Sequence, residues 1–167
     1  MTKIIGGKVF KVGDNINTDY IIPAKYLDLY EPEELGKHVF EGFGNEYPER
    51  LKGYNVVIAG ENFGLGSARE QAPNALKGAG IKAIVAKSFA RIFYRNTLNV
   101  GILPIECFEA AEAVSQGEEM TINLERGTIV SGENSFHFPL FPNLVMELLD
   151  AGGMVPYLME KLKLNVQ

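Results

Sequence analysis

Asn55-Val-Val-Ile-Ala59 runs directly into Gly60-Glu-Asn-Phe-Gly-Leu-Gly-Ser-Ala-Arg-Glu70 and then into Gln71-Ala-Pro-Asn-Ala-Leu-Lys77. The first piece is a continuous apolar run rich in β-branched residues, the pattern of a strand buried on both faces. The second is too rich in glycine to extend a strand or start a helix. The third is dominated by helix formers. Ile81 to Ala86 repeats the strand pattern, Phe89 to Asn96 reads as a second helix and Ile102 to Ile105 as a third strand. Strands that alternate with helices at this spacing need crossover connections, so the segment predicts βαβ units and a parallel core sheet within an α/β fold.

Toward the N-terminus, Lys8 to Val12 reads as a strand, and Gly13-Asp-Asn-Ile-Asn-Thr-Asp19 as a turn-forming loop presenting polar groups. Tyr20 to Pro23 is short and apolar and predicts a strand end, and Glu31-Pro-Glu-Glu34 opens a helix with acids in its first turn. Beyond Ser115 the character turns β-rich. Met120 to Leu124 and Thr128 to Val130 predict a hairpin turning at Arg126-Gly127, followed by a strand from Ser135 to Phe138. A helix from Pro142 to Ala151 stops at Gly152-Gly153, before a short helix around Pro156 to Leu162. No repeat, low-complexity tract or linker divides residues 1–167, so one folded domain is expected.

The whole-chain properties narrow the function. Apolar residues make up 46% and charged residues 22% of the 167, which is ordinary for a folded soluble protein. A formal charge of −5 disfavours nucleic-acid binding, which draws on basic patches to displace counterions. Lys87, Arg91 and Arg95 recur every four residues and would share a helical face, as a solvated or anion-facing edge. No run approaches the ~20 apolar residues that span a bilayer, and no signal-peptide pattern opens the chain, so a cytoplasmic protein is expected. Cys107 is the sole cysteine; it can neither form an internal disulfide nor hold a zinc ion or iron–sulfur cluster alone. His38 and His137 lack ligand spacing and read as surface or interface residues, so no metal site is expected in this chain.

Gly64-Leu-Gly-Ser-Ala-Arg-Glu70 carries the chemistry. Between a strand and a helix, free backbone N–H groups favour an anion, and glycine lets the backbone approach it closely. Ser67 adds a hydroxyl and Arg69 a fork of donors able to grip a carboxylate with two hydrogen bonds. The order of residues is not that of a Walker loop, a dinucleotide fingerprint or a nucleophile elbow. Carboxylate or phosphate recognition stands beside a plainer reading, in which Ser67 caps the helix and Arg69 pairs with Glu70 or Glu61.

Three ordered stretches carry a resemblance. Gly60-Glu-Asn-Phe-Gly-Leu-Gly-Ser-Ala-Arg-Glu-Gln-Ala72, Ala86-Lys-Ser-Phe-Ala-Arg-Ile-Phe-Tyr-Arg-Asn96 and Gly13-Asp-Asn-Ile-Asn-Thr-Asp-Tyr-Ile-Ile-Pro23 resemble the motifs of the swivelling domain of the aconitase superfamily, as does Ala151-Gly-Gly153. The likeness covers nearly the whole chain. Free-standing chains of this length are similar to the small subunits of isopropylmalate dehydratases and homoaconitases. The resemblance implies a β/β/α sandwich with a mixed sheet and a hydro-lyase subunit, inactive alone. It implies a partner, a large subunit carrying a [4Fe–4S] cluster, and a small hydroxy-dicarboxylic acid as substrate. Isopropylmalate, homoaconitate and 2,3-dimethylmalate are the candidates, and a non-catalytic carboxylate- or phosphate-binding regulatory module is the alternative of another class.

The same resemblance assigns Ser67 as the catalytic base and Arg69 as the substrate-carboxylate ligand, with Gly66 and Ala68 completing the substrate loop. Ala68 stands where the family pattern has serine. Asp19 matches an aspartate that supports the site, while Asp14 and Thr18 read as turn residues. Lys25-Tyr26-Leu27-Asp28-Leu29 occupies the family's specificity loop but has an acid where the pattern Tyr-Leu-Arg has a cation. That weakens the case for a tricarboxylate and leaves Leu27, Leu29 and Tyr30 for an apolar substituent. Self-association of the isolated chain is also expected from a surface shaped for a partner.

Overall fold

β1 (Ile4–Lys11) organises the sheet, because both of its edges are used. In the computed structural model, which describes residues 3–163, it pairs in parallel with β2 (Val56–Ala59), with Val9 opposite Val56 and Lys11 opposite Ile58. Its other edge pairs antiparallel with β5 (Glu119–Asn123), from Ile4 opposite Asn123 to Lys8 opposite Glu119. β3 (Ala83–Ala86) and β4 (Leu103–Glu106) extend the parallel half, and β6 (Thr128–Ser131) and β7 (Asn134–His137) extend the antiparallel one. The seven strands run β4-β3-β2-β1-β5-β6-β7.

Both faces of the parallel half are buried, as its unbroken apolar strands require. Val57, Ala59, Ile84 and Ala86 face a core shared with Phe10, Phe40, Leu76 and Phe93. The alternate residues Val56, Ile58, Ala83 and Val85 face a second core with Met120, Ile122, Ile129 and Phe138 of the antiparallel wing. The wing therefore curls back over one face while helices cover the other. This is the mixed-sheet β/β/α sandwich that the resemblance implies.

The helical face carries α1 (Thr18–Ile21), α2 (Pro32–Gly36), α3 (Tyr47–Arg50), α4 (Gln71–Gly78) and α5 (Arg91–Asn99). α6 (Phe108–Ala113) packs against the second core, and α7 (Asn143–Ala151) packs against both that core and α5, with α8 (Met154–Lys161) against α7 and α5. Gly152, at φ 88°, ends α7 in the left-handed conformation as the Gly-Gly pair predicts.

Two expectations are corrected. Tyr20 to Pro23 is not a strand end: Asn17 caps a single helical turn by accepting from the Asp19 N–H at 2.9 Å, Tyr20 and Ile21 belong to that turn, and only Ile22 and Pro23 are extended, without a strand partner among the described residues. A local cap here overrides the β preference of two isoleucines. Nor do Lys87, Arg91 and Arg95 share a helical face. Ala90 is extended and α5 starts at Arg91, leaving Lys87 in the preceding turn, where it pairs with Glu112 and stands over the Phe108 ring. The short helices α3 and α6, neither closed by a side-chain cap, add to the elements that the sequence pattern predicts.

Candidate active site

The Gly64–Glu70 loop leaves β2 and is stitched to the N-terminal loop by main-chain contacts. The Gly64 N–H donates to the Ile16 carbonyl at 2.8 Å, and the Thr18 N–H to the Leu65 carbonyl at 2.9 Å. The buried Thr18 then clamps the next residue, its Oγ1 donating to the Ser67 carbonyl at 3.0 Å. Asp14 accepts from the Glu61 N–H at 2.8 Å and pins the loop's base. A third segment closes the arrangement: the Phe63 N–H donates to Ser88 O and the Ala90 N–H to Phe63 O. Three stretches far apart in sequence are thus fixed relative to one another by backbone hydrogen bonds.

Glycine is demanded at two points. Gly64 has φ +84°, and a Cβ there would lie 2.0 Å from Cγ of Phe93 on α5; Gly66 has φ +99°, and its Cβ would meet Asn17 Oδ1 at 2.6 Å. Gly64→Ala combines left-handed strain with overpacking, so a loss of about 2 kcal/mol is expected. The change should appear as a lower urea midpoint with an unchanged m-value; an unshifted midpoint would contradict the packing described.

The loop's exposed face is an anion-accepting surface. Ser67, Ala68 and Arg69 line a cavity of about 230 Å³ whose opposite wall includes Arg91, Phe93 and Asn96 of α5. The N–H groups of Ser67, Ala68, Arg69 and Glu70 have no acceptor among the described residues. Successive unpaired amides of this kind attract negative charge. Ser67 is exposed, and α4 starts only at Gln71 with no side-chain cap. Ser67 is therefore not a helix cap. Arg69 is mostly covered and is paired with Asp19 rather than with Glu61 or Glu70, its Nη1 also lying 3.5 Å from the Ile22 carbonyl. Asp19, in the first turn of α1, thereby orients the guanidinium, and the Asx geometry belongs to Asn17 instead.

Lys25 to Leu29 do not line this cavity. The loop is tied to it indirectly, through the Gln71 side chain donating to the Leu27 carbonyl at 3.1 Å. Leu29 packs against the core and Asp28 is exposed. Tyr26 stacks on His38 with ring centroids 3.8 Å apart, and its hydroxyl donates to Glu41, which also accepts from His38 Nδ1 at 2.8 Å. Lys25 lies 3.9 Å from the same carboxylate. His38 is consequently a half-buried packing residue rather than a surface one, whereas His137 is exposed.

Burial pushes the Glu41 carboxyl up, but the hydrogen bonds from Tyr26 and His38 with the charges of His38 and Lys25 outweigh it, and the group titrates below its ordinary 4.5. A carboxyl depressed by folding contributes stability that is complete above its unfolded pKa and lost as pH falls through the folded one. Glu41→Gln should therefore lower the urea midpoint near pH ~7 and lose that difference on acidification below about pH 4. A difference that stayed constant with pH would remove the carboxylate from this account.

The donor set does not fit an iron–sulfur cluster. Among the described residues no three His, Cys, Asp or Glu side chains converge. Cys107 is buried, its Sγ lies 3.6 Å from the His137 carbonyl, and burial raises its thiol pKa above the ordinary value. A thiol so placed is a poor metal ligand.

Residues 6–110 match the family described as the aconitase C-terminal domain. The chain is 47% identical over 165 residues to the isopropylmalate/citramalate isomerase small subunit of Methanocaldococcus jannaschii, covering 97% of this chain and 98% of that one. It is 46% identical over 164 residues to the 3-isopropylmalate dehydratase small subunit of Nautilia profundicola, again over 97% and 98%. The chain belongs to the 3-isopropylmalate dehydratase small-subunit family. The crystal structure of a 3-isopropylmalate dehydratase from M. jannaschii superposes with a TM-score of 0.88 at 42% identity, over 96% of each chain. The mixed α/β sheet described above thus matches the fold of that dehydratase structure.

Ser67, Ala68, Gly66, Arg69 and Asp19 come together; the specificity loop does not. Sequence reasoning missed Thr18, which reads as a turn residue but supports Ser67, and the α5 residues Phe93 and Asn96. Only the proximity of the second family motif pointed toward α5, since nothing in its composition says which of its faces meets the loop.

Proposed function

We propose that this dehydratase small subunit acts with a cluster-bearing large subunit to interconvert 2-isopropylmalate and 3-isopropylmalate in the cytoplasm, through the unsaturated maleate, as a step of leucine synthesis. The observation that carries the reading is that Ser67 and Arg69 share one cavity with a run of unpaired backbone N–H groups. Arg69, oriented by Asp19, grips the carboxylate beside the carbon that is to lose its proton. Ser67 Oγ, as the alkoxide, takes that proton and becomes a hydroxyl; on rehydration it returns the proton to carbon. An alkoxide needs concentrated positive potential in a water-poor site, which the loop amides and the guanidinium supply. The partner's cluster would act as Lewis acid on the leaving hydroxyl, and among the described residues no group of three or more potential metal-ligating side chains is found.

Asp28 is exposed and stands where the family pattern has a cation, which favours a substrate with an uncharged substituent over a tricarboxylate such as homoaconitate. Lys25, 3.9 Å from the Glu41 carboxylate, lies outside the cavity with the rest of its loop, so that loop offers a third carboxylate no cation there. Citramalate is the second substrate reading, favoured by the name of the M. jannaschii relative; 2,3-dimethylmalate likewise has no third carboxylate.

Mixing the purified chain with a cluster-loaded large subunit and following the absorbance of the unsaturated acid tests the proposal. Turnover of isopropylmalate above citramalate, dimethylmalate and homoaconitate is expected. Carboxylate binding without turnover would identify a regulatory module, and preference for homoaconitate would overturn the substrate assignment.

A further inference from the structure

Arg91 has no role in the account so far, yet its position is unusual. It is the first residue of α5, a nine-residue helix with no acid in its first turn and no side-chain cap. A cation there opposes the helix dipole, so the residue does not serve the helix. No carboxylate pairs with it among the described residues. Its backbone is nevertheless fixed: the Ala90 N–H donates to the Phe63 carbonyl at 3.0 Å, and Phe63 belongs to the strand–loop connection that carries Ser67. Arg91 and Arg69 line the same cavity from opposite walls.

The charge balance of the cavity gives this placement meaning. Arg69 is already paired with the half-exposed Asp19, so part of its charge is offset before a ligand arrives. A hydroxy-dicarboxylate brings two negative charges. Arg91 also borders a larger groove of about 510 Å³ whose one acidic lining residue is Glu106, and the two form no ion pair among the described residues. Its guanidinium is uncommitted and can turn toward the cavity.

We infer that Arg91 is a second substrate-binding residue, which receives the carboxylate of the dianion that Arg69 does not hold. The inference rests on the dehydratase reading above and adds that the α5 side of the cavity selects for dicarboxylates. Asn96, one turn further along α5 and also on the cavity wall, can donate to the same ligand.

The test uses the reconstituted two-subunit enzyme with Arg91→Gln, Arg91→Lys and, as a control of equal charge on the same helix but off the cavity, Arg95→Gln. Arg91→Gln should raise KM for isopropylmalate by roughly tenfold to a hundredfold, the loss of a charge-assisted pair, with a smaller change in kcat. Arg91→Lys should recover part of the loss, and Arg95→Gln should match wild type. Of the two monoamides of the substrate, the one lacking the carboxylate at Arg91 should be used equally by wild type and Arg91→Gln. Titration of the large subunit should give equal affinities for both. An unchanged KM in Arg91→Gln, an equal loss in Arg95→Gln, or a loss explained by weaker subunit association would overturn the inference while leaving the dehydratase reading intact. A wild-type complex unable to turn over isopropylmalate would overturn both.

Discussion

Ser67→Ala should lower kcat of the reconstituted enzyme by about a thousandfold, within the range for removal of a positioned general base. KM should change little, because the loop's amides and Arg69 remain. The hydroxyl makes no hydrogen bond among the described residues, and the residue is held through its carbonyl by Thr18, so the fold and the affinity for the large subunit should be preserved. Exchange of the substrate's carbon-bound hydrogen with solvent should vanish in parallel with turnover. Retention of that exchange in the variant would place the base elsewhere.

Arg69→Ala should reduce kcat/KM by about a thousandfold, since losing a mostly covered guanidinium that holds a substrate carboxylate with two charge-assisted hydrogen bonds costs several kcal/mol. Two losses combine. The substrate carboxylate loses its fork, and Asp19 is left as an unpaired negative charge beside the place where that carboxylate must sit. Asp19→Asn on the Arg69→Ala background should therefore recover part of the activity, whereas Asp19→Asn alone should cost some by releasing the guanidinium. Arg69→Lys should fall between, because an ammonium keeps the charge but not the two-pronged geometry. Strictly additive effects in this cycle would separate the two residues.

How far the sequence anticipates these features depends on the distance over which each is decided. β2 and β3 are legible because their burial is written in four consecutive apolar residues each, and the hairpin because its turn glycine is local. The Ser/Arg loop is legible as an anion site because glycines, hydroxyl and guanidinium lie within six residues. The turn at Thr18 is misread because one side-chain cap from Asn17 decides against the β preference of Ile21 and Ile22. The Arg69–Asp19 pair joins residues fifty positions apart, and nothing local to Arg69 distinguishes Asp19 from its neighbours Glu61 and Glu70. The lysine at 87 is misplaced because an extended Ala90 delays the helix start. Arg91 is visible as a charge, but its sharing a cavity with Ser67 follows only from backbone bonds through Phe63.

The use of both edges of β1 bears on the order in which the ribosome delivers the fold. Its parallel partner is complete at residue 59 and its antiparallel partner only at residue 123, so one flank of the strand waits unpaired while some sixty further residues emerge. The side carrying the substrate loop can form first, with the wing closing over the exposed apolar face last. Ribosome-bound chains halted between those two points would be the species most prone to aggregate, and the ones a holdase chaperone would find.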